Sequence, residues 1–420
     1  MTHSTLPGTG PWSWLEPGLW VYRSRELDLL GQADALLADA SPAARVGGSA
    51  LLEAKRRLHA AGIGAATAPA GVGGGGHRFV VQVAIQFLAG YRDINLRDAA
   101  HVGHGAVLCH DPEWHGRREL TAVIRGSLIG LAATEPAGEP DVAAVSTQAV
   151  RTATGWELSG RKAWVSRVLE ADAFVVFARS PQHLGAFYVP ADAPGLKALP
   201  VDRPTDREEG PTQAGWSWGE LLLDQVPVPP TSVLGASVGG IAVFRRHFAE
   251  YRPLVAATCL GAAAAAVDRW VEHLLPPSES GRGSGRGLGD EVVERLGALR
   301  GRVLLALGGL FTGAARPGSI DTSWSKMVKA QAVQTAIEVV RSVERSMWAD
   351  AEADPAGSSP AAALTAVRRA RRELGAFEEA DGAPAPLLRS AGERFVQYSA
   401  AILDEISEPT STMPRPRLSD

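Results

Sequence analysis

Two stretches of this chain gather side chains that could do chemistry: LAATEPAGEPD at residues 131–141 and WELSGRKAWVSRVLEAD at residues 156–172. The second carries Trp164 and Ser166. An indole offers a flat apolar wall that excludes water, and a hydroxyl beside backbone amides offers donors for negative charge that builds during a reaction. Standing alone, Trp164 reads as an ordinary strand aromatic, because tryptophan is common in strands. His101 and His104 fall one helical turn apart, a spacing that helix-borne metal ligands often use. No third ligand stands out, and His110 and His115 sit in a separate turn-like segment around Pro112. No metal site is therefore expected, and these histidines read as lining a pocket or an interface. The glycine-rich run at 62–76 has no following Lys-Ser/Thr and opens no helix with GxGxxG, which argues against a phosphate loop and for a connector.

Composition narrows the class. At 420 residues the chain exceeds one typical domain. Hydrophobic residues at 45% and charged residues at 21% suit a folded globular protein with a large core, not a disordered chain. A net charge of −4, with no basic run longer than the cluster Arg368, Arg369, Arg371 and Arg372, argues against nucleic acid as a partner. Cys109 and Cys259, both in apolar surroundings, argue for a reducing compartment and against a disulfide framework. The N-terminus lacks a charged segment followed by an apolar core, and the alanine-rich run near Leu260 is the longest apolar candidate, so the expectation is a cytoplasmic protein with no membrane partner.

The elements that must position these residues follow from periodicity. Residues 25–131 are mostly helical, with Leu27, Leu30, Ala33 and Leu37 marking an early apolar face and a second helix at 49–61. Residues 79–108 read as two apolar helices around a polar turn at 92–95. From 131 to 234 the period shifts to two, with strands at 173–179 and 185–190. Helices resume at 241–270, 291–312, 324–349, 363–374 and 387–406. In the third of these, Met327, Ala330, Val333, Ile337, Val340 and Val343 describe a core-facing stripe. The Gly/Ser/Arg-rich stretch 276–290 reads as a flexible surface loop, where Arg282 and Arg286 could approach phosphates, and the tail 407–420 as disordered.

The two motifs resemble the β-domain of acyl-CoA dehydrogenases, whose patterns read approximately (F)ALTEPxAGSD and W.LNG.K.WITN...AD. The chain keeps Thr134, Glu135, Pro136, Asp141, Trp156, Leu158, Gly160, Lys162, Trp164, Ala171 and Asp172. Further on, WGELLLDQVPVPPTSVLG at 218–235 and the helix around Arg252, Pro253, Ala256, Ala257, Gly261 and Asp268 resemble the same family. The resemblance implies an α+β fold: an N-terminal helical domain over 1–130, a middle β-barrel-like domain over 131–236 and a C-terminal helical bundle over 237–406. It implies FAD as cofactor, held by Ala133, Thr134, Trp164, Val165 and Ser166, and an acyl thioester of coenzyme A or acyl carrier protein as substrate, with Arg252 near the thioester. It also implies a homodimer or homotetramer.

The resemblance thins in the last third. The family's R..FG, Q..GG.G and EGT segments are absent, and with EGT goes the glutamate that most members use as base. A minority place the base immediately before the arginine matching Arg252; here that position is Tyr251, with Glu250 one residue earlier. One residue turns a helix by about 100°, so Glu250 should face elsewhere. Tyr251 and Glu250 remain the candidate acid–base residues. Glu139-Pro140 replaces the family's Gly-Ser, removing a backbone donor and a hydroxyl near the pyrophosphate; each loss would cost on the order of 1–3 kcal/mol and would weaken or abolish FAD binding. Three readings stand: a flavoenzyme acting on an acyl thioester, a half-site subunit paired in a heteromer with a complete homologue, and the same fold used for monooxygenation or for a redox-neutral elimination or cyclisation.

Overall fold

A computed structural model describes residues 9–407 except 137–141, 182, 202–214, 276–287, 317, 319, 354–360 and 379. The Glu139-Pro140 replacement, Arg282, Arg286 and the tail beyond 407 lie outside the described residues. The N-terminal helices are α1 (Pro11–Leu15), α2 (Ser24–Val46), α3 (Gly48–Ala60), α4 (Phe79–Arg92), α5 (Ala106–Cys109) and α6 (Arg118–Ile124). The strands are β1 (Ile129–Ala132), β2 (Gln148–Thr152), β3 (Gly155–Ser166), β4 (Ala173–Arg179), β5 (Leu184–Pro190), β6 (Leu196–Pro200), β7 (Trp218–Val228) and β8 (Val233–Leu234). The chain ends in α7 (Gly240–Leu274), α8 (Asp290–Ala314), α9 (Thr322–Ala353), α10 (Ala361–Gly375) and α11 (Pro384–Ser407).

Helices before and after the strands share one core. Leu30 and Leu37 of α2, Phe87 and Leu88 of α4, Leu260 and Val267 of α7, and Val333 and Val340 of α9 belong to a single buried cluster. The α9 stripe is core, as its three- and four-residue spacing implies, although Met327 at its start is exposed. Helices α4 and α7 cross closely enough that glycine is required. A Cβ on Gly90 would lie 1.9 Å from the Thr258 carbonyl oxygen, and one on Gly261 would lie 2.1 Å from that of Phe87. By length and composition α7 and α8 could each cross a membrane, but the apolar window of α7 is 89% buried, which a core helix explains.

The strands form one mixed sheet in the order β6-β7-β3-β2-β4-β5-β8, with β1 parallel to β4. Among the described residues it is an open mixed sheet with β6 and β8 at its ends, in keeping with the α+β fold expected. β2 and β4 share the single pair Gln148–Arg179, and Leu158 and Val165 of β3, Phe174 and Val176 of β4, Phe187 of β5 and Leu221 of β7 belong to one buried core.

The expected second helix after the turn at 92–95 is replaced by short 3-10 turns and the four-residue α5. Side chains take the carbonyls a helix would have used. Gln86 Nε2 donates to the Arg97 carbonyl at 3.0 Å, Gln82 Nε2 to that of Ala100 at 2.8 Å, and Lys55 Nζ to those of Asp98 and His101 at 2.8 and 2.6 Å. Buried backbone acceptors need partners, and these donors supply them outside any ladder. The segment is thereby fixed with the Asp98 side chain buried.

Candidate active site beside the strand bulge

Between Lys162 and Val165, β3 carries one residue more than its partner β7, because Lys162 pairs with Leu221 and Val165 with Gly219. The extra residue makes a β-bulge, a device that re-aims side chains and is over-represented near functional sites. Trp164 occupies it at φ 57°, a left-handed conformation uncommon outside glycine. Its indole is 66% exposed and stacks on Trp218 with ring centres 5.0 Å apart and planes 23° from parallel. The two rings present a flat aromatic surface. The exposure shows that the Trp164 ring does not fill the core.

The first motif is tied to this bulge. The Ala163 amide donates to the Thr134 carbonyl at 2.9 Å, and Lys162 Nζ donates to the Ala133 carbonyl at 3.4 Å and to Glu135 Oε1 at 2.9 Å. Glu135 also accepts from the amides of Ser146 and Thr147, at 2.7 and 2.8 Å, and from both hydroxyls. Burial alone would raise the Glu135 carboxyl, yet the bonds from Lys162, Ser146 and Thr147 outweigh it and hold the group well below the usual carboxylate range. Ala133, Thr134, Trp164 and Ser166 thus lie on connected backbone. Thr134 is exposed and Ser166 half-buried, whereas Val165 points its side chain into the sheet core and offers only backbone here.

Immediately after Ser166 the chain turns inward. Arg167, also left-handed at φ 62°, is 1% exposed and pairs through Nη2 with Asp98. Asp98 receives the Tyr251 hydroxyl at 3.0 Å on Oδ1 and Arg97 Nη2 at 3.0 Å on Oδ2. Arg97 also meets Asp381 at 3.4 Å. The Tyr251 ring stacks on His247 with centres 5.0 Å apart, and His247 Nε2 lies 2.9 Å from His104 Nδ1. Burial lowers both histidines, His104 to about 4 and His247 well below its ordinary value, so both are neutral at pH 7. Among the described residues no cluster of histidine, cysteine and carboxylates could hold a metal ion.

Of the three residues singled out on α7, Tyr251 enters this cluster and Arg252 borders it. The Arg252 Nε donates to the Asp381 carbonyl at 3.0 Å, its guanidinium lies over Phe248, and burial lowers it to about 10. Glu250 turns away as the helical geometry implies, 2.7 Å from His110 Nε2. Asp98 and Arg167 were passed over in the sequence. A signal for Arg167 was available, since the family pattern WITN places asparagine where this chain has arginine. A surface cleft of about 560 Å³ lined by Arg56, Arg118, Arg125, Glu170 and Asp172 holds none of the residues on the Trp164 face.

Comparison with known proteins agrees with this geometry. Residues 130–226 match the acyl-CoA dehydrogenase middle domain. Cyclohexane-1-carbonyl-CoA dehydrogenase of Geobacter metallireducens is 31% identical over 161 residues, 37% of this chain and 39% of that protein. The chain thus matches about two fifths of that curated relative's length. Among solved structures, glutaryl-CoA dehydrogenase of Mycobacterium smegmatis superposes with a TM-score of 0.77 at 18% identity, covering 92% of this chain and 98% of the other. The prolyl acyl carrier protein oxidase AnaB superposes at 0.73 and 17% identity, covering 89% and 99%. Residues 130–226 thus carry an acyl-CoA dehydrogenase middle domain that runs through both motifs, and over nine tenths of its length the chain shares the fold of glutaryl-CoA dehydrogenase.

Proposed function

We propose that the protein binds FAD against the Trp164–Trp218 face and oxidises the acyl group of a thioester carried by coenzyme A or a carrier protein. The observation that carries this reading is the exposed Trp164 indole, held on a bulge beside Ser166 and stacked on the half-buried Trp218. Left-handed strain at a large apolar residue, combined with exposure, is unfavourable unless something planar covers it. A flavin ring fits that face: flat, apolar and bordered by the hydroxyl of Ser166. Bound FAD would supply the acceptor for the hydride lost from the acyl group.

The residues of the chain have separable parts in this reading. Trp164 and Trp218 exclude water from one face of the ring. Ser166 Oγ, with the Val165 and Ser166 amides, offers donors where negative charge develops. Ala133 and Thr134, on the segment hydrogen-bonded to the bulge, would border the same face, and Arg252 would meet the thioester. Tyr251 is the acid–base residue, because its hydroxyl donates to Asp98 Oδ1, a carboxylate that can orient it, while Glu250 is turned toward His110. The test is anaerobic addition of acyl thioesters to FAD-loaded protein. Bleaching of the flavin bands by a thioester, and not by the free acid, is the expected result; flavin that stays oxidised across short, branched and polar acyl groups contradicts the reading.

A further inference from the structure

Arg167 has more donors than partners. Its side chain is buried, Nη2 serves Asp98 and Tyr251, and among the described residues Nε and Nη1 have no hydrogen-bond acceptor. Buried N–H groups on a charged guanidinium are rarely left unmet, because each forfeits its hydration without replacement. The surroundings are polar as well. Asp98, Arg97, Tyr251, His104 and His247 border one another, and against Asp98 and Arg97, lined also by Asn95, Trp216 and Glu373 but not by Arg167, lies a space of about 10 Å³, the size of one water. A long alkyl chain would press methylenes against guanidiniums and strip their remaining polar contacts. An oxygen-bearing group would instead meet the idle donors.

We infer that Arg167 is a specificity residue that receives the distal oxygen of a short polar acyl group, a carboxylate in preference to a neutral carbonyl. The inference rests on the proposed thioester oxidation and deepens it. Its position follows from the chain: Arg167 directly follows Ser166, so a group held by the guanidinium lies one residue from the donor assigned to the flavin face. Asp98 is the competing anion. It holds Nη2 and orients the side chain while leaving Nε and Nη1 for the ligand. A charge-assisted bond from arginine to carboxylate is about twice as strong as a neutral one, which sets the preferred terminus.

The experiment measures binding of succinyl-pantetheine against butyryl-pantetheine to the full chain by titration calorimetry, with FAD retention recorded separately on each variant. The expected result is about 10-fold or greater preference for the carboxylate-ended thioester in the unaltered protein. Arg167→Gln should erase the preference while FAD is retained, and Arg167→Lys should restore part of it. Asp98→Asn, which removes the competing anion and keeps the shape, should raise the ratio. Equal affinities in the unaltered protein, a preference that survives Arg167→Gln, or a ratio that falls in Asp98→Asn overturns the inference. If Arg167→Gln does not fold, the Asp98→Asn and Arg167→Lys ratios decide alone. Retained FAD with no binding of either thioester overturns the inference and leaves the flavin site standing; loss of both overturns the thioester reading as well.

Discussion

Replacing Trp164 with alanine separates a ring that covers a ligand from a ring that fills a core. A fully buried tryptophan cut to alanine costs about 3–5 kcal/mol. Trp164 is 66% exposed, so only about a third of its surface is sequestered. Of the roughly 150–250 Å² a buried aromatic removes from water, some 50–80 Å² applies here, worth about 1–2 kcal/mol at about 25 cal/mol per Å². The offset stack on Trp218 adds about 1 kcal/mol. Trp164→Ala should therefore destabilise the apoprotein by about 2–3 kcal/mol, read as a shift in urea midpoint at unchanged slope. The same change should weaken FAD by about 10- to 100-fold, by analogy with the roughly 1–3 kcal/mol lost when an aromatic is removed from under a nucleic-acid base. Loss of more than about 4 kcal/mol of stability, or FAD affinity that does not move, would refute the reasoning.

Three further outcomes follow from the packing and the buried charges. Gly90→Ala drives a methyl into the Thr258 carbonyl at the α4–α7 crossing, and since the obstacle is backbone it should cost about 1–3 kcal/mol; an unchanged thermal midpoint would contradict the close crossing. Glu135→Ala strands the Lys162 ammonium, which is buried, and frees the segment at Ser146 and Thr147; a loss of about 3 kcal/mol is expected in denaturant titrations, with none pointing to a merely superficial pair. Burial lowers His59 to about 3 and His104 to about 4, so both stay neutral in the folded protein while the unfolded chain takes up protons below about 6.5. More protons on the unfolded state means stability falls as pH falls, by up to about 1.4 kcal/mol per pH unit for each histidine between pH 6.5 and 5. Unfolding measured at pH 7 and 5 should show that drop, and His104→Asn should flatten it; a flat profile would mean that these rings are hydrated.

Local pattern carried much of the fold. The strand at residues 173–179 is β4, and the helices at 291–312 and 324–349 fall within α8 and α9, because apolar periodicity reports which face meets the core. What failed was the helix expected after residue 95. Its carbonyls are claimed by Gln82, Gln86 and Lys55, donors that sit 11 to 46 positions away in sequence and leave no mark on the segment itself. The site divides the same way. Trp164 and Ser166 were legible because a short motif carries them, whereas the ion pair of Arg167 with Asp98 spans 69 positions and the hydroxyl of Tyr251 reaches Asp98 across 153. That the sheet is open left no mark in the sequence, because strand count and alternation do not say whether the edges meet.

If the bulge face is a flavin site, the visible spectrum of the purified protein before and after adding FAD and gel filtration will show it. The account predicts the two absorption bands of an oxidised flavin travelling with the protein, diminished in Trp164→Ala. A folded protein that elutes colourless after incubation with FAD would contradict it.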